Sequence, residues 1–437
     1  MRLVVFSGGT ATNSLLECFE ELSRDAKTTA EPTVTYIIPV SDNGGSTSEI
    51  LRCFGGIALG DLRSRALNLF QNEPLRHFLH HRLHRDSIRA KREWESLIRG
   101  EHRWWKPISP DRSPGASAEI SARASAEASA LCAELQRLFH VFAAKVRDLQ
   151  CHFDFAAASV GNIMLKSMEM ESGIDAALHK FLQLGGVPPN YSIVPCVTLP
   201  AHLLHPLQPP CPSPTLQLQL VLANGDVITG QSEISHPADP ALKSQLHFCK
   251  SSGSHAQLAA AVQQLRYVVD DRGTLSPAVP AASAAGVRAI ESADFIVYSI
   301  GSVITSLMPS LIVPEIARAI AANSAATKVL LQNGTYDRES FGLDSRSYTQ
   351  LVESTLRQAA NVDRCDGDNG QERSVFCSHV IRLANSEIPE HVTDDQRRNG
   401  TSTSTGTGTG TVTVTIQGDA DRFYDPQTLL NTLRSIP

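Results

Sequence analysis

The stretch Pro39-Val40-Ser41-Asp42-Asn43-Gly44-Gly45-Ser46-Thr47 follows directly on the apolar run Val34–Ile38, and it constrains the fold more than any other part of the chain. An extended run that breaks into a carboxylate, two glycines and two hydroxyls is a poor way to fill a core. It does bring bare backbone amides and one Asp to the carboxyl end of a strand. That edge of an α/β sheet is where phosphorylated ligands sit. Two similar pieces flank the stretch, Ser7-Gly8-Gly9-Thr10 before it and Leu59-Gly60-Asp61-Leu62-Arg63 after it.

The surrounding pattern supports a parallel sheet. Leu3–Phe6 reads as a strand, and Asn13–Ser23 as a helix with Leu15, Leu16, Phe19 and Leu22 at helical spacing. Val34–Val40 is a second strand, and Ser46–Phe54 a helix opened by hydroxyl caps. Such short strand–helix–strand connections imply right-handed crossovers. Further strands are expected at 191–198, 216–222, 295–298, 328–331, 375–381 and 412–416. Asn224-Gly225 predicts a hairpin joining 216–222 to 227–234, read as an antiparallel extension of the main sheet.

Three segments depart from this pattern. From about Arg82 to Ala130 the chain is rich in Arg, Ser and Ala, with Trp94, Trp104 and Trp105 as isolated aromatics, and it reads as a low-complexity insertion that is partly helical. Pro200–Pro214 reads as a loop, and Arg397–Gly410 as a Ser/Thr/Gly spacer. The whole of 1–437 is expected to be one α/β domain carrying these additions.

Composition narrows the function classes. With 42% apolar and 19% charged residues the chain is of ordinary globular type, and a net charge of -6 argues against a nucleic-acid-coating surface. No apolar run approaches the ~20 residues that span a bilayer, so no membrane partner is expected. Nine scattered cysteines without a C-x-x-C pair predict reduced thiols in the cytoplasm rather than disulfides or a zinc site.

Four junctions share one chemistry: Gly8-Gly9-Thr10, Asp42 to Thr47, Gly161-Asn162, and Gly301 to Ser306 with Ser302 and Thr305. All are read as strand-to-loop junctions opening on the same sheet edge. Their glycines admit phosphate oxygens close to the backbone, and their hydroxyls donate hydrogen bonds. Asn43, Gly44, Gly45 and Ser46 belong to the same phosphate-binding set. No G-x-G-x-x-G, Walker or G-x-S-x-G signature is present. Asp42 could ligate Mg²⁺ or accept a proton from an incoming hydroxyl, or serve only as an Asx-turn. Asp61 is the second acid among the glycines, and Arg63 could clamp a phosphate or simply pair with Asp61. Arg52 and Arg65 are expected to be solvated. His77, His80, His81 and His84 read as a solvated basic helix face with no carboxylate to complete a metal site. Asp363–Gly370 lacks the ligands of a Ca²⁺ loop.

These junctions resemble the family that holds archaeal 2-phospho-L-lactate transferase (CofD) and the bacterial gluconeogenesis factor (YvcK). The matching pieces are SGGTA at 7–11, SDNGGSTS at 41–48, LGDLRS at 59–64, SVGN at 159–162 and SIGSVITSLMP at 299–309, with LANGDVITGQSEI at 222–234 similar to the family's hairpin. They cover about 1–80 and 151–340, and the wording is closest to fungal-type members. The resemblance implies a Rossmann-like, doubly wound fold that binds a nucleotide diphosphate or its conjugate. The archaeal enzyme transfers a phospholactyl group from a guanosine-diphosphate-linked donor to a deazaflavin with Mg²⁺; the bacterial protein binds a UDP-sugar and influences carbon metabolism.

Carried over by position, Gly8, Gly9, Thr10, Gly301, Ser302 and Ser306 would hold the diphosphate. Asn162 would sit near the base or ribose, and Asp42 near the metal and reacting phosphate. Asn43 stands where the family has a second Asp, which removes one metal ligand unless Asp61 substitutes. The expectation is a nucleotide-dependent transferase, with a non-catalytic nucleotide-sugar sensor as the alternative; either leaves room for a homodimer.

Overall fold

The computed structural model describes residues 1–24, 33–108, 118–199, 213–236, 258–340, 342–362, 375–390 and 411–436. Its strands are β1 (Arg2–Phe6), β2 (Thr33–Ile38), β3 (Tyr191–Pro195), β4 (Val197–Thr198), β5 (Thr215–Leu222), β6 (Val227–Thr229), β7 (Val262–Asp271), β8 (Thr274–Ala278), β9 (Ala281–Ala282), β10 (Phe295–Tyr298), β11 (Thr327–Leu331), β12 (His379–Leu383) and β13 (Val412–Ile416). The whole of the expected spacer, 397–410, lies outside the described residues, as do 200–212 of the expected Pro-rich loop and the whole of 363–370.

Seven strands form one all-parallel sheet in the order β13-β12-β11-β10-β1-β2-β3. Its central strands are buried on both faces, as parallel sheets covered by helices require: Leu3 to Phe6 and Ile296 to Tyr298 are almost fully enclosed. The chain runs outward from β1 through β2 to β3, then returns to the other side of β1 with β10. The order therefore reverses between β1 and β10. In a doubly wound sheet that reversal opens a crevice at the carboxyl ends of the two strands. The Rossmann-like, doubly wound α/β reading holds.

The hairpin forms as expected, with Gly225 at a φ of 90° in its turn. It does not continue the main sheet. β6, β5, β7 and β8 make a separate antiparallel sheet, in which alternate residues Leu216, Leu218, Leu220 and Leu222 face the core. β6 also stops at Thr229. Gly230, at a φ of 96°, turns the chain into the short helix Gln231–Ser235.

The region from Arg82 is helical, as expected in part, and its helices carry buried aromatics. Helix Ser87–Ile98 and the turn Trp105–Ile108 pack on the 31-residue helix Ala118–Asp148. Trp94 stacks on Phe155 with ring centroids 4.9 Å apart and meets Phe139 and Phe142 edge-on, while Trp105 packs on Phe78 and Phe139. The aromatics that look isolated in sequence are partnered by phenylalanines far along the chain. A local composition window does not see them.

Two further expectations are corrected. Cys53 and Cys151 form a disulfide across 98 residues, with Cα atoms 5.9 Å apart, whereas Cys18 and Cys196 are buried thiols. Arg65 is not solvated. It is fully buried, with its guanidinium 5.0 Å from the centre of the Tyr36 ring and donating to Ser7 Oγ at 3.1 Å. Arg52 does stay at the surface, paired with Glu49. Among the described residues, no single helix is long and apolar enough to cross a membrane.

Candidate functional site

Three of the four glycine junctions follow neighbouring parallel strands, β1, β2 and β10. The fourth does not leave a strand of the main sheet. Gly161 and Asn162 lie in the first turn of helix Val160–Ser172, which is capped by Ser159. It reaches the same edge from the helical layer.

The wall between β1 and β10 is built on close backbone approach. A Cβ placed on Gly8 would lie 2.7 Å from Ser306 Cβ, so only glycine fits. Gly301 adopts a φ of 144°, open to glycine, and faces Ser306 as well. Asn333 fixes the Gly301 peptide from both ends, accepting from its N–H at 3.1 Å and donating to its carbonyl at 2.8 Å. From Ser302 the chain enters a π-helical turn, Val303–Leu307, of a kind frequent at functional sites. Thr12, not singled out in the sequence, ties the first loop to this wall through Ser299 Oγ at 3.1 Å and the Ile300 carbonyl at 3.0 Å.

Asp42 and Asp61 form the acidic part. Asp42 Oδ1 accepts the Gly44 N–H at 3.0 Å, an Asx-type turn that fixes the loop. Asp61, in the first turn of helix Gly60–Leu69, accepts the Gly9 N–H and feels the charge of Asp42. Burial and then Asp42 push its carboxyl up to about 7, against the opposing pull of the Gly9 amide, Arg65 and Arg63. Two hard oxygen donors whose charges repel make a place that a divalent cation would relieve. The residues present therefore fit Mg²⁺, for which Asp61 rather than position 43 would supply the second carboxylate.

Asn43 has another partner. Its Oδ1 accepts the Ser232 N–H at 3.0 Å, and its amide packs against Gly230. Beside it Ser41 Oγ donates to Gln231 Oε1 at 2.7 Å. The SDNGGST loop is thus moored to helix Gln231–Ser235. Ser235 at the far end of that helix donates to Glu339 Oε1 at 2.6 Å. Glu339 also accepts from the Thr305 N–H at 2.9 Å and the Thr305 hydroxyl at 2.6 Å, so Thr305 is held from behind. Burial and Asp337 raise the Glu339 carboxyl to about 7, despite these donors. Glu339 was invisible in sequence: a single Glu in Tyr-Asp-Arg-Glu-Ser has no spacing signal. Gln231 and Ser232 fall within the hairpin segment already noted, where their register against Asn43 was not readable.

The third cluster surrounds Asn162. Arg63 Nε donates to Asn162 Oδ1 at 3.0 Å, and Asn162 Nδ2 donates to Ser46 Oγ at 3.0 Å and Thr47 Oγ1 at 3.4 Å. Arg63 and Asn162 are both buried. Burial, together with Arg82, lowers the Arg63 pKa to about 10, which leaves it charged at neutral pH. The helices Ser46–Phe54 and Gly60–Leu69 start here, so two sets of free N–H groups and positive dipole ends meet at one edge. Backbone amides, hydroxyls, one buried Arg and two acids suit an anionic, phosphate-bearing ligand.

A family model described as 2-phospho-L-lactate transferase CofD matches residues 3–409. The chain belongs to the CofD family. The match runs through the helical region from Arg82, where the resemblance of short motifs had a gap. An uncharacterized protein of Saccharomyces cerevisiae is 33% identical over 442 residues, covering 89% of this chain and 91% of that one, in keeping with a fungal-type member. A Deinococcus radiodurans protein named as a gluconeogenesis factor is 21% identical over 356 residues, covering 80% of this chain and 50% of its own length. Among solved structures, a Bacillus halodurans protein of the UPF0052 family has the same fold, with a TM-score of 0.57 at 17% identity over 99% of each chain. At that identity the likeness to this CofD-family chain is one of fold.

Proposed function

We propose that this CofD-family protein binds a nucleoside-diphosphate-linked metabolite in the crevice between β1 and β10 and transfers its terminal phosphorus-containing group. The observation that carries the reading is the meeting of Gly8, Gly301 and Ser306 at the sheet's reversal point, with Asp42 and Asp61 beside it. In such a transfer an acceptor hydroxyl attacks the terminal phosphorus, the phosphoanhydride bond breaks and a nucleoside monophosphate leaves. The acceptor's proton passes to Asp42. The amides of the Gly8 loop and of the Gly301–Ser302 loop would bind the diphosphate oxygens, with Ser46 and Ser306 offering hydroxyls. Arg63, fixed by Asn162, would place a permanent positive charge near the developing phosphate charge. Mg²⁺ held by Asp42 and Asp61 would supply charge neutralisation at the diphosphate.

One observation favours a second reading, a nucleotide-sugar sensor without turnover. Asn43 replaces a carboxylate and is committed to mooring Ser232. Calorimetry with GDP, GTP and UDP-N-acetylglucosamine, each with and without Mg²⁺, separates the two. Binding that needs Mg²⁺, with turnover lost in Asp42→Asn, supports the transferase. Tight metal-independent binding without turnover replaces it with the sensor.

A further inference from the structure

We propose that His81, Glu93 and His102 form a binding site for one divalent metal ion of the zinc class, separate from the candidate nucleotide crevice. The histidine run had suggested only a solvated helix face without a carboxylate. The fold supplies the carboxylate from elsewhere. His81 caps helix Glu73–His80, Glu93 lies in helix Ser87–Ile98, and His102 sits in the turn that follows it. Among the described residues this is the group of His, Cys, Asp or Glu whose ligand atoms all fall within 4.8 Å of one another.

The geometry is close to that of a coordination shell. Glu93 Oε1 lies 2.6 Å from His81 Nε2 and 3.2 Å from His102 Nε2. Four ligands at zinc–nitrogen and zinc–oxygen distances of ~2.0–2.1 Å stand ~3.3 Å apart around a tetrahedral ion. The ligand atoms of His81 and His102 lie within 4.8 Å of each other, so modest side-chain shifts would bring all three onto one ion. Glu93 is already oriented, because its other oxygen accepts the His84 backbone N–H at 2.8 Å. Such an outer-sphere bond is what fixes metal-ligating carboxylates. The contact of the Trp104 N–H with His102 Nδ1 is long, 3.4 Å, and does not lock the ring in one tautomer.

The surroundings suit a metal more than a bare hydrogen-bonded triad. The three side chains are only 12–19% exposed, and the Trp104 ring lies 5.5 Å from that of His81. Two imidazoles and one carboxylate select a borderline ion such as Zn²⁺ over Mg²⁺ or Ca²⁺, which take all-oxygen shells. Water would take the fourth position.

The ion would brace the route into the candidate site. Residues 81–84 pair along 157–160, through Val160 N–H to the His81 carbonyl at 3.0 Å, Leu83 N–H to Ala158 at 2.9 Å and Ala157 N–H to His84 at 2.9 Å. The stretch so paired leads directly to Ser159, the cap of the helix that carries Asn162.

The test uses the full chain, stripped with EDTA and titrated with ZnCl₂ alone by calorimetry, with circular dichroism confirming the fold of each variant. The expected result is one Zn²⁺ per chain and a rise in Tm with Zn²⁺. Affinity should fall by more than about 100-fold in His102→Ala, beyond the roughly 10–100-fold loss typical of outer-sphere groups. His81→Ala should behave alike, whereas exposed His152→Ala leaves binding unchanged. Co²⁺ bound at the same stoichiometry should show a nitrogen/oxygen d–d spectrum without thiolate charge transfer. No stoichiometric Zn²⁺ binding by the wild type overturns the proposal, as does binding unchanged in both His102→Ala and His81→Ala.

Discussion

Arg63 Nε donates to Asn162 Oδ1 at 3.0 Å, a buried bond that joins residues 99 positions apart and ties the helix Gly60–Leu69 to the helix Val160–Ser172. Cutting one side leaves a buried polar group alone, and for a charge that cost exceeds the value of the bond. Asn162→Ala should therefore destabilise the fold by about 2–3 kcal/mol, read by urea unfolding. In the double variant Arg63→Met/Asn162→Ala the two losses should be less than additive. Strict additivity would mean that the bond does not operate in solution.

The Gly8–Ser306 approach predicts a steric effect. Gly8→Ala puts a Cβ 2.7 Å from Ser306 Cβ and 2.8 Å from its Cα, so the β1 and β10 loops must part. Nucleotide affinity should fall by at least about tenfold, about 1.4 kcal/mol. Adding Ser306→Gly removes the Cβ but not the Cα and should restore only part of it. Calorimetry of both variants decides this, and full affinity in Gly8→Ala alone would refute the close approach.

Asp61 predicts a pH dependence of stability. Its folded pKa, about 7, is raised above its ordinary 3.8, so the native state holds the proton more tightly than the unfolded chain. That contribution is fully present below about pH 3.8 and is lost as pH rises through about 7. Urea unfolding between pH 4 and pH 8 should show a steeper decline for the wild type than for Asp61→Asn. Mg²⁺ should flatten the wild-type curve by favouring the ionised carboxylate. Identical slopes for the two chains would sink the assignment.

Trp94 tests whether the region from Arg82 is core. It stacks on Phe155 at 4.9 Å and contacts Phe139 and Phe142 edge-on. Trp94→Ala should cost about 3–5 kcal/mol, as large-to-small core changes do. A loss under about 0.5 kcal/mol, as at surface sites, would return the segment to the status of an appended insertion.

The Cys53–Cys151 bond closes a loop of 98 residues. In the chain-entropy model such a cross-link is worth about 4–5 kcal/mol. Dithiothreitol should lower the Tm of the wild type and leave that of Cys53→Ser/Cys151→Ser unchanged. Alkylation and mass analysis of the oxidised protein should find the two peptides linked.

The strands and glycine loops were legible because each carries its own signal: continuous apolar runs for β1 and β10, and glycines where the chain breaks from them. The two acids of the crevice, Asp42 and Asp61, stood out because both sit in glycine-rich turns. What stayed hidden depends on contacts between distant residues. Arg65 looks like any surface Arg until Tyr36 and Ser7 enclose it. Glu339 has no local pattern, and the Trp94 partners lie beyond residue 138. The disulfide was missed for the same reason, since pairing across 98 residues leaves no spacing rule to read.

The return of β10 beside β1 has a consequence for how the molecule is made. Thr12 and Ser299, which close the two sides of the crevice, are 287 residues apart. A ribosome exposes β1, β2 and their loops long before β10 exists, so half of the pocket waits with an open strand edge. Contacts of such long range make assembly slow. Ligand binding by a nascent or truncated chain should begin only when β10 has docked, and nucleotide affinity would then double as a reporter of completed folding.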